Sequence, residues 1–290
     1  MSRIVAFVLL VISINAFGQA QVRDDYGNLV SLARPAERIV SLAPHLTELL
    51  YDAGAGGRVV GAIQYSDYPP AARALPRVGS DAGIDLEAVL ALHPDLVVAW
   101  PNAGSARSID RLEALGIPVF RSEPRELDDI ARTLERLGAL AGTPQAAARA
   151  AASFRARVRR LRERYSERPA VRVFYEVWNR PLQTVNGRHV ISKVMRLCGG
   201  VNVFADLPSI APLIDREAVL RANPQVIVAS GLGAQRPGWL DDWKVFPGLA
   251  AAARGQLYFI PADLIQRHTR RLLDGAERLC RILEEVRTAR

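Results

Sequence analysis

Few residues in this chain could carry out catalysis, and they do not form a recognisable set. No HExxH zinc motif, GxSxG nucleophile turn or phosphate-binding loop occurs in the sequence. A cysteine beside a histidine could act as a thiol nucleophile, but we expect the two cysteines to pair with each other instead. The four histidines are His45, His93, His189 and His268. Because no acid, base and nucleophile can be assembled, the sequence predicts a binding protein, not an enzyme, and no metal centre.

Aromatic rings that follow predicted strands are the more informative side chains. Tyr65 and Tyr68 lie in a turn-rich loop (QYSDYPP), Trp100 follows the run LVVA, and Trp178 follows the run VFYEV. Ligands of α/β proteins bind beyond the carboxyl ends of the strands, and flat rings there suit a large, rigid, largely apolar ligand. Half-buried core positions are the alternative for these rings. His45 also follows a strand, where it could face the ligand or be satisfied within its loop.

One segment of the sequence is repeated. DLEAVLALHPDLVVA begins at Asp85 and DREAVLRANPQVIVA begins at Asp215, with eight of fifteen positions identical. Such a repeat indicates two lobes related by a pseudo-two-fold axis. Glu87 and Glu217 occupy equivalent places in the first turn of a predicted helix, where the helix dipole favours a carboxylate. The dipole alone explains both residues; the alternative is a symmetric pair of contacts for a two-fold partner.

Strands alternate with helices on both sides of one long predicted helix at residues 143–168. A threonine–proline pair is favourable at its start, Ala, Arg, Leu and Glu fill its interior, and a proline follows its end. The alternation is typical of parallel sheets covered by helices. We therefore expect an α/β protein with lobes at residues 21–142 and 169–290, joined by the helix. The alternative is a single α/β domain that contains this helix.

The first twenty residues predict export. Arg3 precedes an apolar run at residues 4–14 that is too short to span a bilayer. Gly18 and Ala20 are small residues placed for cleavage after position 20, so residues 1–20 are predicted to be a secretory signal peptide. No cysteine follows the cut to carry a lipid anchor.

Cysteine content and net charge limit the remaining possibilities. Cys198 and Cys280 are the only cysteines, and in an oxidising compartment an even pair favours a disulfide over two buried thiols. The formal net charge is +8, nearly all from arginine. These arginines are scattered and are not interleaved with aromatic residues, so we expect no nucleic-acid partner.

Several segments together resemble the periplasmic cobalamin (vitamin B12)-binding proteins of the iron-siderophore and cobalamin class. They are RIVSLAPHLTELL, YSDYPP, DLEAVLALHPDLVVAW, LCGGVNVF and ARGQLYFI, and the likeness extends over nearly the whole chain after the signal peptide. The resemblance implies two Rossmann-like lobes with parallel sheets, joined by one long helix. It also implies a periplasmic monomer that delivers cobalamin to an inner-membrane ABC transporter, a permease dimer with its ATPase.

The resemblance also assigns roles to individual residues. It implies that Tyr65 and Trp100 pack on the corrin ring, that Glu87 and Glu217 dock onto arginines of the permease, and that the cysteines form a disulfide. Two corrin-stacking tryptophans of the family correspond to Asp81 and Ala211 here, and we expect Trp178 to supply a replacement wall. A haem or ferric-siderophore carrier is the alternative within the class, with Arg267, Arg270 and Arg271 placed to serve anionic groups.

Overall fold

A computed structural model of the chain describes residues 19–80, 82–101, 104–231, 233 and 235–289. The predicted signal peptide lies outside the described residues except for its last two positions, and Asp81 lies outside them too. Ala20, the last residue before the predicted cut, is the first residue of a strand. In the part of the chain that the structure describes, no helix is long and apolar enough to span a bilayer.

The first lobe contains eight described strands and four α-helices. In chain order they are β1 (Ala20–Arg23), β2 (Leu29–Leu32), β3 (Ile39–Ser41), α1 (Pro44–Asp52), β4 (Val59–Ala62), β5 (Gly79–Ser80), β6 (Gly83–Ile84), α2 (Leu86–Ala91), β7 (Leu96–Ala99), α3 (Ala106–Ala114), β8 (Val119–Arg121) and α4 (Leu127–Leu140). The main sheet is parallel, in the order β4-β3-β7-β8. β1-β2 and β5-β6 are small antiparallel hairpins.

α5 (Pro144–Tyr165) follows the first lobe and is attached to both lobes. Arg155 pairs with Glu135 of α4, with an Nη1–Oε1 distance of 2.5 Å. Two residues later, Arg157 pairs with Asp274 and Glu277 near the C-terminus of the chain, at 2.7 and 2.8 Å. Two arginines of one helix therefore form ion pairs with opposite lobes.

The second lobe repeats the plan of the first. In chain order its elements are β9 (Val171–Glu176), β10 (Trp178–Asn179), β11 (Leu182–Gln183), α6 (Val190–Leu197), β12 (Gly200–Asn202), α7 (Arg216–Ala222), β13 (Val226–Ala229), α8 (Ala250–Ala253), β14 (Leu257–Phe259), α9 (Ala262–Ile265) and α10 (Leu272–Thr288). The main sheet is parallel, in the order β12-β9-β13-β14. The predicted fold class, two parallel-sheet α/β lobes, is confirmed.

Both faces of each sheet are covered by apolar side chains. Neighbouring residues of one strand enter different buried clusters, as Ile39 and Val40 do in β3 and Val173 and Phe174 do in β9. One of these clusters is continuous from the first lobe, along the buried face of α5, into the second lobe. Rotating one lobe against the other would therefore expose apolar surface, which costs about 25 cal/mol per Å².

The disulfide is confirmed, and most differences from the sequence predictions lie at element ends. Cys198 and Cys280 are bonded, with a Cα–Cα distance of 4.7 Å. The long helix ends at Tyr165, three residues earlier than predicted, because Arg168 N–H donates to the Tyr165 carbonyl in a closing turn. The N-terminal hairpin pairs β1 with β2, with Ala20 opposite Leu32. Gly238–Val245 forms a 3-10 helix.

Candidate functional site

Trp100 marks the point where the two lobes meet. It directly follows β7, and 41% of its surface is exposed. The ring of His45, in the first turn of α1, lies edge-on to Trp100 with centroids 5.6 Å apart. His268 of the second lobe lies on the other side of His45, at 5.8 Å. The exposed indole is thus supported by a histidine pair that spans the contact between the lobes.

Desolvation keeps the histidines near this contact neutral: His45 is buried, and His268 and His189 are half-buried. Burial, with smaller contributions from His268 and Arg267, lowers the pKa of His45 to about 3. Burial likewise lowers the pKa values of His268 and His189 to about 4. The Nε2 atom of His45 is buried and has no hydrogen-bond partner among the described residues. These histidine rings therefore place polar nitrogen atoms near the contact between the lobes without adding positive charge there.

Tyr65 and Tyr68 lie in the loop after β4, on the same lobe as Trp100. Tyr65 has a φ of 64°, which turns the loop, and its side chain is 56% exposed. The guanidinium of Arg271 lies 3.9 Å from the ring centroid of Tyr68, a cation–π contact. Arg267 donates to the Tyr65 carbonyl across 3.3 Å. Arginines of the second lobe therefore hold this loop of the first lobe, while both phenol rings remain exposed.

A buried carboxylate anchors these arginines. Glu48 of α1 is only 2% exposed and accepts hydrogen bonds from Arg267 at 2.9 Å and from Arg271 at 2.7 and 2.9 Å. Arg270 pairs with Asp52, one turn further along α1, at 3.1 Å. Arg267, Arg270 and Arg271, which would serve anionic groups if the chain carried haem or a ferric siderophore, are thus already balanced by carboxylates of the first lobe.

Trp178 is another exposed aromatic side chain, and it lies on the second lobe. It is 36% exposed in β10, and its indole N–H donates to the Arg180 carbonyl at 3.0 Å. Gln183, its partner across the hairpin, donates to the carbonyl of Ala211 at 3.2 Å. The hairpin thus places Trp178 beside the segment that contains Ala211. Within the described residues, no ring contact joins Trp178 to Trp100, Tyr65 or the other predicted ligand-binding rings.

The two tryptophans do not occupy equivalent positions in the two lobes. Trp100 follows β7, whose counterpart in the repeat is β13, and β13 is followed by Ser230. Trp178 lies just beyond β9, which takes the place of β3 in the order of its sheet. The aromatic walls are therefore offset, and the site is not symmetric.

Glu176, two residues before Trp178, is a second buried carboxylate and lies at the end of β9. It is 1% exposed and accepts a hydrogen bond from the indole of Trp243 at 2.8 Å. Burial raises its pKa to about 7, against the lowering effects of Trp243 and Arg216. This carboxyl group titrates close to neutral pH.

Glu87 and Glu217 have matching surroundings. Each is exposed in the first turn of its helix, α2 or α7. Asp85 and Asp215 cap these helices: each side chain accepts a hydrogen bond from the backbone N–H three residues later, at 2.9 and 2.6 Å. The duplicated caps thus present one glutamate on each lobe in the same local geometry.

Some residues of the site were not anticipated from the sequence. Glu48 and His268 contact both lobes but belong to no motif that points to ligand binding. The sequence does contain an indication of Glu48, because this acidic residue lies in the run LTELL, at an otherwise apolar helix position. Among the described residues, no group of three His, Cys, Asp or Glu side chains could hold a metal ion.

Comparison with known proteins adds to this geometry. The model of a periplasmic binding protein family matches residues 39–264. A vitamin B12-binding protein of Yersinia pestis is 40% identical over 259 residues, which are 88% of this chain and 89% of that protein.

Solved structures agree with this similarity. The crystal structure of a periplasmic vitamin B12 binding protein of Vibrio cholerae has a TM-score of 0.81 and 38% identity, covering 87% of this chain and 98% of that one. A periplasmic heme-binding protein of a Roseiflexus species has a TM-score of 0.74 and 26% identity, covering 88% of this chain and 100% of that one. These similarities extend across both lobes.

Proposed function

We propose that this chain, which belongs to the periplasmic binding protein family, captures cobalamin in the cleft between its lobes. The observation that carries the proposal is the exposed Trp100 ring, supported edge-on by the buried His45 where the lobes meet. Tyr65 and Tyr68 are exposed on the same lobe, and Trp178 is exposed on the other. Flat aromatic walls suit a large, rigid macrocycle. Relatives at 38 to 40% identity are vitamin B12-binding proteins.

The electrostatics of the cleft favour a cobalamin over an acidic cargo. The corrin ring carries neutral amide side chains, whereas haem carries carboxylates and many ferric siderophores are anionic. Arg267 and Arg271 are already paired with Glu48, and His45 is neutral. An anionic cargo would have to compete with a buried carboxylate for these cations, and breaking a buried pair costs about 3–5 kcal/mol.

A haem carrier is the second candidate, for two reasons. A heme-binding relative shares 26% identity with this chain, and the unpartnered Nε2 of His45 is an atom type that can bind iron. The two candidates differ in colour. We expect the purified chain to retain the absorbance of cyanocobalamin after incubation and desalting, and not that of haem or a ferric siderophore. Retained haem colour without retained cobalamin colour would replace the proposal with the haem carrier.

Delivery is the second part of the proposal. We infer that residues 1–20 direct export to the periplasm and are removed. The remaining chain would act as a monomer, with lobes at residues 21–142 and 169–290 joined by the helix at residues 143–168. Glu87 and Glu217 would then dock onto the two halves of an inner-membrane permease dimer with its ATPase. Their exposure and matched caps support this role. The chain would act by binding and release, without catalysis.

A further inference from the structure

A second concave site lies beside α5, away from the aromatic rings of the cleft. It is a groove of about 660 Å³ between the first turn of α4, one face of α5 and α6. We call it the linker groove. None of the proposed cobalamin-binding residues lines it. We propose that the linker groove binds a small amphipathic organic anion, meaning a carboxylate, sulfonate or phosphate ester on an apolar body.

The charge of the groove points to an anion. Its lining contains five basic and three acidic side chains. Two of the basic side chains are neutralised inside the protein: Arg155 pairs with Asp128 and Glu135, and Lys193 pairs with Glu126 across the lobes. Among the described residues, none of the other three basic side chains of the lining pairs with an acidic side chain.

Arg159 and Arg162 are two basic residues of α5 that line the groove. Both are exposed, and among the described residues neither pairs with an acidic side chain. They follow Arg155 at spacings of four and seven residues, so all three lie on one face of the helix. Arg196 faces them from α6, with one weak hydrogen bond to the Gly187 carbonyl at 3.3 Å. Guanidinium groups bind carboxylate, sulfonate and phosphate through paired hydrogen bonds.

The floor of the groove explains why the anion should carry an apolar body. Leu127, Phe154, Val158 and Leu197 form it, and they belong to the core that the two lobes share. A volume of 660 Å³ lies within the range of about 300–1,000 Å³ that is usual for small-molecule sites. An inorganic ion would leave most of this space empty, whereas an aromatic or aliphatic body would cover the apolar floor.

The test is calorimetric titration with 8-anilinonaphthalene-1-sulfonate, an aromatic sulfonate. We expect saturable binding at one site, weakened at least about tenfold by Arg159→Ala with Arg162→Ala, because both changes remove charge-assisted hydrogen bonds to the sulfonate. Arg149→Ala with Arg160→Ala is the matched control. It removes the same charge from exposed positions of α5 that do not line the groove, and we expect it to change the affinity less than about twofold.

Two further measurements locate the site and define the ligand. Trp100→Ala should leave the sulfonate affinity unchanged; an equal loss in that variant would place the probe in the cleft and overturn the proposal. Inorganic sulfate at the same concentration should fail to compete; full competition would show that the apolar floor is not used. Absent saturable binding, or equal weakening by both arginine pairs, would also overturn it.

Discussion

Arg271 of the second lobe forms two hydrogen bonds to the buried carboxylate of Glu48 in the first lobe, at 2.7 and 2.9 Å. The same guanidinium lies over the ring of Tyr68. One side chain therefore ties the angle between the lobes to the position of an aromatic residue of the cleft. Together with the shared apolar core, this pair favours a cleft that is largely preformed.

Removing the charge of Glu48 should destabilise the protein strongly. Glu48→Gln leaves Arg271 without its carboxylate in a site where the partner was 2% exposed, and breaking a buried pair costs about 3–5 kcal/mol. We expect urea unfolding to show a loss of about that size. Asp52→Asn is the control, since its partner Arg270 is about one-third exposed (36%) and such pairs contribute about 1 kcal/mol or less. Equal losses in both variants would rule out a special role for Glu48.

Trp100→Ala should weaken cobalamin binding without unfolding the chain. The indole is partly exposed and rests on His45, so truncation removes a stacking wall at a cost of about 1 kcal/mol or more. We expect the Kd for cyanocobalamin to rise about fivefold or more. Leu115→Ala removes an exposed apolar residue just beyond α3 and should leave the Kd unchanged. An unchanged Kd for Trp100→Ala would remove this residue from the site.

Glu87→Ala with Glu217→Ala should separate binding from delivery. Both side chains are exposed, and both helices keep their aspartate caps, so folding and cobalamin affinity should be preserved. We expect uptake of labelled cyanocobalamin by cells that depend on this protein to be lost. Glu37→Ala with Glu163→Ala removes two other exposed acids and should support normal uptake. Normal transport in the Glu87 and Glu217 variant would refute docking through this pair.

Glu176 should make stability fall as the pH rises towards neutral. Burial raises its pKa from an ordinary value of 4.5 to about 7, so between these values the folded state holds a proton that the unfolded chain has released. The free energy of unfolding must then decrease with increasing pH in this window. His189 and His268 act oppositely: their lowered pKa values make stability fall as the pH drops from 6.5 towards 4.

The effect of Glu176 is therefore measured as the difference in the free energy of unfolding between a variant and the wild type. Glu176→Gln cannot ionise and can still accept the Trp243 hydrogen bond through its amide oxygen. We expect its free energy of unfolding, relative to the wild type, to increase as the pH rises from 4.5 to 7. Glu163→Gln, on the exposed face of α5, should show a constant difference from the wild type. A constant difference for Glu176→Gln as well would contradict the buried, raised-pKa carboxyl.

The sequence predicts the plan of this fold well because its signals are local. Pro144 and the alanine- and arginine-rich run specify the long helix, and the repeat at Asp85 and Asp215 specifies two related lobes. The sequence predicts the ends of helices less accurately. The long helix ends at Tyr165, where Arg168 N–H donates to the Tyr165 carbonyl in a turn, and not at the proline itself.

The site was predicted less completely because its chemistry depends on contacts between lobes. Glu48 and Arg271 are 223 positions apart in the chain, and nothing in the neighbourhood of either residue indicates the other. For the same reason, the sequence does not reveal that Arg267, Arg270 and Arg271 pair with carboxylates of the first lobe. Trp178 lies in a hairpin, β10-β11, that the run before it does not indicate.

The central claim is that the cleft binds a corrinoid, and calorimetric titration of cyanocobalamin into the chain tests it most directly. We predict saturable binding of one cyanocobalamin per chain, undiminished by an equimolar amount of haem. Absence of saturable heat with cyanocobalamin, together with one-to-one binding of haem or a ferric siderophore, would contradict the claim.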